Sequence, residues 1–503
     1  MTCALLLGGF GLLLPHPGFR RACTLAAVAL LVWSVGLGVA ARRRGRALAI
    51  RFAPRAQHWI QACAQTAVLL YWGWYVHFVY AYAPLIVAQL VFAYAVESLV
   101  AWSRRDVHTL GFGPFPVVLS INLFLWFKPD WFALQFAMIV VGYVAKEFIR
   151  WDREGRAVHI FNPSSFPLGV LSLALILTGA SNVTFGEEIA SSQFYPPYMY
   201  LFIFLVALPG QLRFGVARMT LAAVLTLYAI SAGFVALTGT YLFYDTHIPI
   251  AIFLGMHLLF TDPSTSPRSE AGRILFGMLY AIAAAACYSL LGALGVPTFY
   301  DKLLPVPLLN LLVRRIDRLA ASGRLALLDA SRLGAALSPL RRNAAYVGVW
   351  AIVFTALSAL RGLGDDPPGQ ALPFWYDACR AGRARACAYA AQMTFNYCTD
   401  GSGWACNEWG IRELAAGRPA AGAFARGCRL GFSPACDNIG RTGVDATALA
   451  RGRPQPADLP IVLRGTKPPL SGRSLDELDA RACDQGWPGA CGGWAGADAA
   501  VKG

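Results

Sequence analysis

Charged side chains are scarce in this 503-residue chain. Asp, Glu, Lys and Arg make up 14% of the residues, whereas a soluble globular chain carries about 25%. Hydrophobic residues make up 56%, and the mean hydropathy is +0.49. A water-soluble fold cannot cover its surface with so few charges, so we expect much of the chain to face lipid.

Acidic residues are fewer than basic residues, with 28 Asp and Glu against 43 Lys and Arg, and the formal net charge is +15. The excess arginines fall in short clusters beside apolar runs, chiefly within residues 41–56 and 314–342. This distribution is typical of the cytoplasmic flanks of membrane helices. We therefore expect no nucleic-acid partner.

Several catalytic signatures are also missing. The sequence contains no glycine-rich nucleotide loop, no hydrolase triad motif and no C-x-x-C-H haem motif. An independent enzyme is therefore not expected, and at most the chain is a redox subunit of a multi-protein complex.

Apolar runs long enough for a membrane helix, about 20 residues, recur over the first two thirds of the chain. The predicted spans are 22–40, 58–80, 83–101, 111–127, 131–148, 164–180, 196–212, 215–238, 247–261, 273–296 and 344–361. Residues 1–14 are also apolar but lack the basic start and cleavage site of a signal peptide. The expected fold class is all-α, a polytopic bundle of about 10–11 spans followed by a small stapled helical domain.

The positive-inside rule orients these spans. When the predicted spans are counted along the chain, four basic stretches fall on the same side of the membrane. They are 42–46, 104–105, 146–156 and 213–218. That side is the cytoplasm, and the basic 314–342 segment also belongs there, so span 344–361 carries the chain out again. The apolar residues 303–313 either cross the membrane within a longer tilted element or lie flat as an interfacial helix, and the sequence leaves both open.

Eight of the twelve cysteines lie after residue 370 and form four pairs with one spacing, C-x-x-G-x-x-x-x-C. The pairs are Cys379–Cys387, Cys398–Cys406, Cys428–Cys436 and Cys483–Cys491, and their glycines are Gly382, Gly401, Gly431 and Gly486. The pattern predicts a helix that ends near the first cysteine, a left-handed glycine cap, and a second helix opened by the other cysteine. A disulfide would staple the two helices together. The alternative is a metal site, but zinc sites use closer spacing and this region has no histidine, so no metal is expected.

Four stretches around these pairs resemble cysteine-rich Sel-one-like repeats, which are α/α units related to tetratricopeptide repeats. They read ACRAGRARACAYAA, YCTDGSGWACNEWG, GCRLGFSPACDNIG and ACDQGWPGACGGWA. The resemblance implies a helical domain that docks other proteins. Five prolines within 452–473 indicate an inserted loop rather than a regular solenoid. Oxidised cysteines imply a location outside the reducing cytoplasm.

Two polar motifs interrupt the apolar core, one hundred residues apart. They are Phe161-Asn162-Pro163-Ser164-Ser165 and Thr261-Asp262-Pro263-Ser264-Thr265. Each precedes a predicted span on the cytoplasmic side, where Asn, Asp and Ser favour helix N-caps and Pro favours the first turn. Similar caps on two helices are one explanation. An internal duplication, with ligand sites at corresponding helix ends, is the other, and helix N-termini attract anions such as phosphate.

The stretches HIFNPSSFPLGVLSL and LLFTDPSTSPRSEAGRILFGMLYA resemble the paired motifs of the RnfD/NqrB family, membrane subunits of electron-transport complexes, and UnbU is a similar relative. The resemblance covers roughly residues 57–315 and implies about ten spans in two repeats, with flavin in the membrane domain. The cofactor-binding residues that it implies are Asn162, Ser164, Ser165, Asp262, Ser264, Thr265 and Arg273. The family's S-G-A-T flavin-attachment motif is absent, so the implied FMN or riboflavin is non-covalent.

Ionisable residues inside predicted spans are energetically costly and are therefore functional candidates. Glu97, His77 and His257 are of this kind. For each, a paired structural role near the membrane interface competes with a redox or ion-handling role. The aromatic cluster around His77 suits either an interfacial belt or stacking on a flavin or quinone ring.

We therefore expect an electron-transport subunit of the bacterial inner membrane, flavin-associated and working with other redox subunits or with periplasmic proteins that dock on its repeats. The alternatives are a transporter or channel, with Glu97 and Asp262 near its pathway, and a non-redox scaffold for a periplasmic assembly. The expected domains are a hydrophobic segment with a basic loop (1–56), the RnfD/NqrB-like membrane domain (57–315), a basic linker (316–343), the last transmembrane helix (344–361) and the periplasmic repeat domain (370–503).

Overall fold

The computed structural model describes residues 2–13, 16–153, 155–194, 196–243, 246–329, 337–364, 372–399, 402–441 and 445–452. Almost all regular structure in these ranges is helical, which agrees with the predicted all-α class. The apolar part contains α1 (Thr2–Leu13), α2 (Pro17–Arg43), α3 (Ala56–Tyr75), α4 (His77–Ala81), α5 (Ala83–Arg104), α6 (Pro114–Phe124), α7 (Phe132–Phe148), α8 (Ser165–Thr178), α9 (Gly186–Ser192), α10 (Met199–Phe214), α11 (Ala217–Thr238), α12 (Ile250–Leu258), α13 (Glu270–Ala293), α14 (Pro305–Ala321) and α15 (Pro339–Ala359). The cysteine-rich part contains α16 (Leu372–Arg380), α17 (Ala384–Thr399), α18 (Gly403–Ala415), α19 (Ala421–Arg429) and α20 (Ser433–Asn438).

Two short ribbons of strand lie in the loops of the apolar part. Strands β1 (Ala49–Phe52) and β2 (Val107–Leu110) pair in parallel, and β3 (Arg150–Arg153) and β4 (Arg156–His159) form an antiparallel hairpin. The hairpin leads directly into the first polar motif, so it fixes the direction from which the chain approaches α8.

Five helices in the described ranges are long and apolar enough to cross a membrane. They are Pro17–Arg43, Ala83–Arg104, Pro129–Phe148, Ala217–Thr238 and Glu270–Ala293. They suggest a membrane protein. Several other predicted spans form shorter apolar helices. The helices in the predicted spans therefore differ more in length than the hydrophobic pattern of the sequence indicates.

The predicted span 58–80 is interrupted. Helix α3 ends at Tyr75, and Val76 takes a non-helical conformation with φ −115° and ψ 88°. Beyond the break, the Tyr80 side chain folds back, and its hydroxyl donates to the Leu70 carbonyl at 2.8 Å. Its ring fills the space that a Cβ on Gly73 would occupy, so the absence of that Cβ permits the return.

Two further predicted spans, 111–127 and 247–261, contain only the short helices α6 and α12. At 1.5 Å per residue these helices are about 16 and 14 Å long, roughly half of a 30 Å hydrocarbon layer. Side-chain amides satisfy the carbonyls where α6 ends, because Gln135 donates to Leu125 O and Gln193 donates to Leu123 O. Such broken helices are tolerated in a membrane only where protein groups satisfy the backbone in this way.

The helix contacts repeat in order along the chain. In the set α3, α5, α6, α7 and α8, the first helix contacts the third, the second contacts the third and fourth, and the fourth contacts the fifth. The same contacts recur in the set α10, α11, α12, α13 and α14. The matching helices α3 and α10 touch each other, as do α8 and α14.

Helix α14 contains most of the apolar 303–313 segment and runs antiparallel to α8. Just before it, the Tyr300 hydroxyl donates to Ser181 Oγ at 2.9 Å, beyond the C-terminus of α8. Near its other end, Asp317 pairs with Arg153 at 2.6 Å, in the hairpin before α8. The segment therefore runs alongside α8 from one end to the other, rather than lying across one end of that helix.

The cysteine-rich part is built as its spacing predicts. Disulfides join Cys379 to Cys387, Cys398 to Cys406 and Cys428 to Cys436, and each links the last turn of one helix to the first turn of the next. Gly382 and Gly431 have φ of +80° and +88°, the left-handed conformation expected of their caps. The predicted pair Cys483–Cys491 lies outside the described residues.

The stapled domain contacts the loop between α11 and α12. Arg385 donates to the Leu242 carbonyl at 2.7 Å, and its guanidinium lies over the Phe234 ring at 4.9 Å. Tyr241 packs against Phe374 at 5.5 Å between ring centroids. This contact lies at the C-terminal end of α11. At 1.5 Å per residue, that end is about 33 Å from the first residue of the helix.

Candidate functional site

The first polar motif forms a tight turn at the start of α8. Asn162 Oδ1 accepts hydrogen bonds from the Ser164 amide at 2.9 Å, from Ser164 Oγ at 2.7 Å and from the Ser165 amide at 3.3 Å. All three side chains are buried. The turn is the Asx arrangement that the Asn-Pro-Ser sequence favours, since Pro restricts the backbone and the amide replaces a missing helix bond.

The second motif repeats this turn around a carboxylate. Asp262 Oδ1 accepts from the Ser264 amide at 3.0 Å and from Ser264 Oγ at 2.6 Å. Asp262 Oδ2 accepts from Thr265 Oγ1 at 3.2 Å. The turn does not cap a helix directly, because α13 begins several residues later with Ser269 as its N-cap.

One side chain that the sequence reasoning missed joins the two turns. Asn310, in α14, accepts from the Asn162 amide at 3.1 Å and donates to the Thr265 carbonyl at 3.0 Å. In addition, Asn162 Nδ2 donates to the carbonyl of Leu259, three residues before Asp262. The available signal was Asn310 itself, a single amide within an apolar run.

The Asp262 turn has two further polar neighbours. Gln57 Nε2, on α3, donates to Asp262 Oδ1 at 3.1 Å. His159 Nε2 lies 3.3 Å from Ser264 Oγ. Burial lowers the pKa of His159 from its ordinary 6.5 to about 4, although the Asp262 carboxylate opposes this shift. His159 is therefore neutral near pH 7. Because the Ser264 hydroxyl donates its one proton to Asp262, His159 Nε2 is the donor to Ser264 Oγ.

Arg273 stands apart from the motif side chains to which the resemblance assigned it. Its guanidinium donates to the carbonyls of Pro267, Phe214 and Gly215, at 3.0, 3.2 and 2.7 Å. It thereby satisfies main-chain groups where α10 ends, because Gly215 caps that helix in the left-handed conformation. In the described structure, the hydrogen bonds of Arg273 therefore hold the main chain in place.

The three ionisable candidates within predicted spans have different environments. Glu97 pairs with Lys146 at 2.8 Å and thereby links α5 to α7. His77 is the first residue of α4, and its side chain lies outside the described part of the structure. His257, on α12, is buried beside Trp350 of α15, with 6.0 Å between ring centroids.

A cleft lies beside the Asp262 turn, between α3, α10 and α12. The cleft is open at one side and is lined by residues of all three helices. Its polar lining residues are Gln57, Gln61, Gln211, His257 and Thr261, and its other walls are mainly aliphatic. Gln57 belongs to both features, since it lines the cleft and donates to Asp262.

Together the two turns, Asn310 and the cleft form one polar region inside an apolar bundle. The hydroxyl and amide groups of this region can hydrogen-bond a neutral polar ligand. Gln57 is the donor to Asp262 that also lines the cleft, so a ligand in the cleft lies next to this carboxylate. No family model matches the chain, and no curated protein and no solved structure matches it. The resemblance to RnfD/NqrB proteins therefore stays a prediction that rests on the quoted motifs.

Proposed function

We propose that the chain is an integral membrane subunit for electron transport, associated with a non-covalent flavin and working within a larger redox complex. The observation that carries this proposal is the meeting of the Asn162 and Asp262 turns. Two motifs one hundred residues apart have little reason to meet unless they serve one site. Their meeting beside an open cleft favours a bound ligand over two unrelated helix caps.

The chemistry of the turns distinguishes between the two flavins that the resemblance implies. A phosphate needs cationic or amide donors, but Arg273 is committed to carbonyls and Asp262 adds a negative charge. Riboflavin carries hydroxyls instead of a phosphate, and the Asp262 carboxylate can accept from them. The residues present thus suit riboflavin better than FMN, and when bound it would supply the redox-active ring.

The proposed topology is a bacterial inner-membrane protein of about ten or eleven spans, arranged by internal duplication, with its repeats in the periplasm. The recurring order of helix contacts supports the duplication. Arg385 contacts the loop after α11, and α11 is long enough to span a membrane. Arg218 lies near the start of α11. The contact therefore supports a topology in which the repeats and Arg218 lie on opposite faces of the membrane. The periplasmic repeats would dock a partner protein.

The two motifs themselves are not the matching positions of this duplication. The Asn162 turn precedes α8, the fifth helix of its set, whereas the Asp262 turn precedes α13, the fourth helix of the second set. Their shared letters therefore reflect one shared site rather than two copies of one segment.

Absorption spectroscopy of the purified protein tests the flavin. We expect a flavin spectrum that stays in the supernatant after acid precipitation. Asp262→Asn should reduce the flavin-to-protein ratio at least about tenfold, the loss expected when a charge-assisted hydrogen bond is removed, whereas the control Glu97→Gln should leave it unchanged. Flavin that stays with the precipitate would contradict non-covalent binding, and a colourless protein would contradict the proposal.

A transporter or channel is the second candidate, and the two broken helices favour it. Helices α6 and α12 end inside the bundle, as the discontinuous helices of repeat-built transporters do near their substrate sites. A colourless protein that moves a solute into proteoliposomes would establish this alternative. A colourless protein that transports no solute would leave the non-redox scaffold as the remaining alternative.

A further inference from the structure

The cleft between α3, α10 and α12 contains polar atoms that have no partner. Gln211 Oε1, Gln211 Nε2 and His257 Nε2 are buried and make no hydrogen bond within the described chain. Their side chains are 1% and 3% exposed, and both residues line the cleft. Each such atom costs about 1–3 kcal/mol when it is left unpaired, so a ligand group that pairs with His257 Nε2 and Gln211 Nε2 would relieve a large part of this penalty.

The hydrogen-bonding role of His257 follows from its other nitrogen. Nδ1 lies 2.7 Å from the Phe253 carbonyl, which can only accept, so Nδ1 carries the proton. In the neutral ring Nε2 is then an acceptor. The Trp350 ring stacks on this imidazole, so the direction of the Nε2 lone pair is fixed.

The cleft therefore presents a fixed acceptor and a free amide. Nε2 of His257 needs a donor, and Gln211 Nε2 needs an acceptor. Among the described residues, no charged side chain lines the cleft, so an ion would be desolvated there without compensation. The aliphatic walls, which include Ile60 and Val206, suit an apolar body.

We propose that this cleft binds an uncharged, largely apolar molecule that carries a hydroxyl group, such as a phenol. The hydroxyl donates to His257 Nε2, and its oxygen accepts from Gln211 Nε2. A single hydroxyl satisfies both requirements because its oxygen donates one hydrogen bond and accepts others. The site does not depend on bound flavin, although its occupant lies beside the Asp262 turn through Thr261.

Two probes that differ only at the hydroxyl test this site. Binding of 4-(trifluoromethyl)phenol and 4-(trifluoromethyl)anisole to the full chain in nanodiscs can be followed by fluorine NMR, with empty nanodiscs as the blank. We expect saturable binding of the phenol, at least about tenfold tighter than the anisole, because the anisole has no proton to donate and leaves His257 Nε2 unpaired. Equal affinities, or phenol binding that does not saturate, would overturn the proposal and leave the cleft to water.

Variants assign the effect to the named residues. His257→Phe and Gln211→Met keep much of the side-chain volume and should each reduce the preference for the phenol at least about fivefold. Ser172→Ala is the matched control, because Ser172 Oγ is also buried without a partner but does not line the cleft. Only variants that elute as one species are compared. A preference that survives in both cleft variants would contradict the assignment.

Discussion

The Asn162 and Asp262 turns share a backbone geometry but differ in charge. In the first turn the amide group is used at both ends, because Oδ1 accepts from Ser164 and Nδ2 donates to Leu259. In the second turn a carboxylate is 8% exposed, and the hydrogen bonds that reach it in the described chain come from neutral groups. The Asn162 turn therefore satisfies its own hydrogen bonds, whereas the Asp262 turn holds a buried carboxylate without a cationic partner among the described residues.

Exchanging the two residue types should have unequal effects. Asn162→Asp loses the donor to Leu259 and places a second carboxylate near Asp262, so we expect a loss of about 3–5 kcal/mol, the cost of an uncompensated buried charge. Asp262→Asn keeps an acceptor for Ser264 and should cost only about 1–2 kcal/mol. Thermal unfolding in detergent measures both. Equal losses would contradict the assignment of a structural role to one turn and a functional role to the other.

Removing the bridge between the turns should have the next largest effect. Asn310→Leu preserves the volume of the side chain but leaves the Asn162 amide and the Thr265 carbonyl unpaired, at about 1–3 kcal/mol for each buried group. We expect a lower unfolding temperature together with loss of bound flavin. Asn343→Leu is a matched control, because Asn343 also donates to a main-chain carbonyl, that of Leu212, away from the turns. A variant that melts earlier but keeps its flavin would show that the turns need not meet to bind it.

Serine truncations compare the turns more finely. Ser264→Ala removes hydrogen bonds to a carboxylate, worth about 1.5–3 kcal/mol, whereas Ser164→Ala removes one to a neutral amide, worth about 0.5–1.5 kcal/mol. The difference in unfolding free energy between the two variants reports the charge of Asp262. A greater loss for Ser164→Ala would contradict the assignment of the stronger, charge-assisted hydrogen bonds to the Asp262 turn.

A further expected effect is a pH dependence that belongs to the Asp262 turn. The pKa of His159 is lowered by burial from 6.5 to about 4, so the unfolded chain takes up a proton below about pH 6.5 while the folded chain stays neutral. Stability should therefore fall as the pH drops from 6.5 towards 4. His159→Phe should flatten this slope in thermal melts across that range. An unchanged slope would show that another group titrates.

Local rules predicted the features that a few neighbouring residues determine. The C-x-x-G-x-x-x-x-C spacing predicted where the helices of the stapled domain meet, and Gly382 and Gly431 have the expected left-handed caps. The Asn-Pro-Ser letters predicted the start of α8, whereas the helix after the Asp-Pro-Ser letters begins later, with Ser269 as its N-cap. In each case the partner of a side chain lies within a few residues.

Features that depend on distant partners could not be predicted in this way. The end of α6 is held by Gln193, about seventy positions away along the chain, and hydropathy alone made that region a full span. Asn310 meets the first turn from 148 residues further along the chain. His159 enters the site only because the β3–β4 hairpin brings it beside Ser264.

The spacing of the cysteines also bears on how the stapled domain matures. Eight cysteines can pair in 105 ways, and a chain that searched them all would often be trapped with wrong bonds. Here each of the three described disulfides joins residues only eight positions apart. Under the proposed periplasmic location, each pair can oxidise as soon as its own short segment leaves the membrane, before the next cysteines arrive, and this order favours the native pairing.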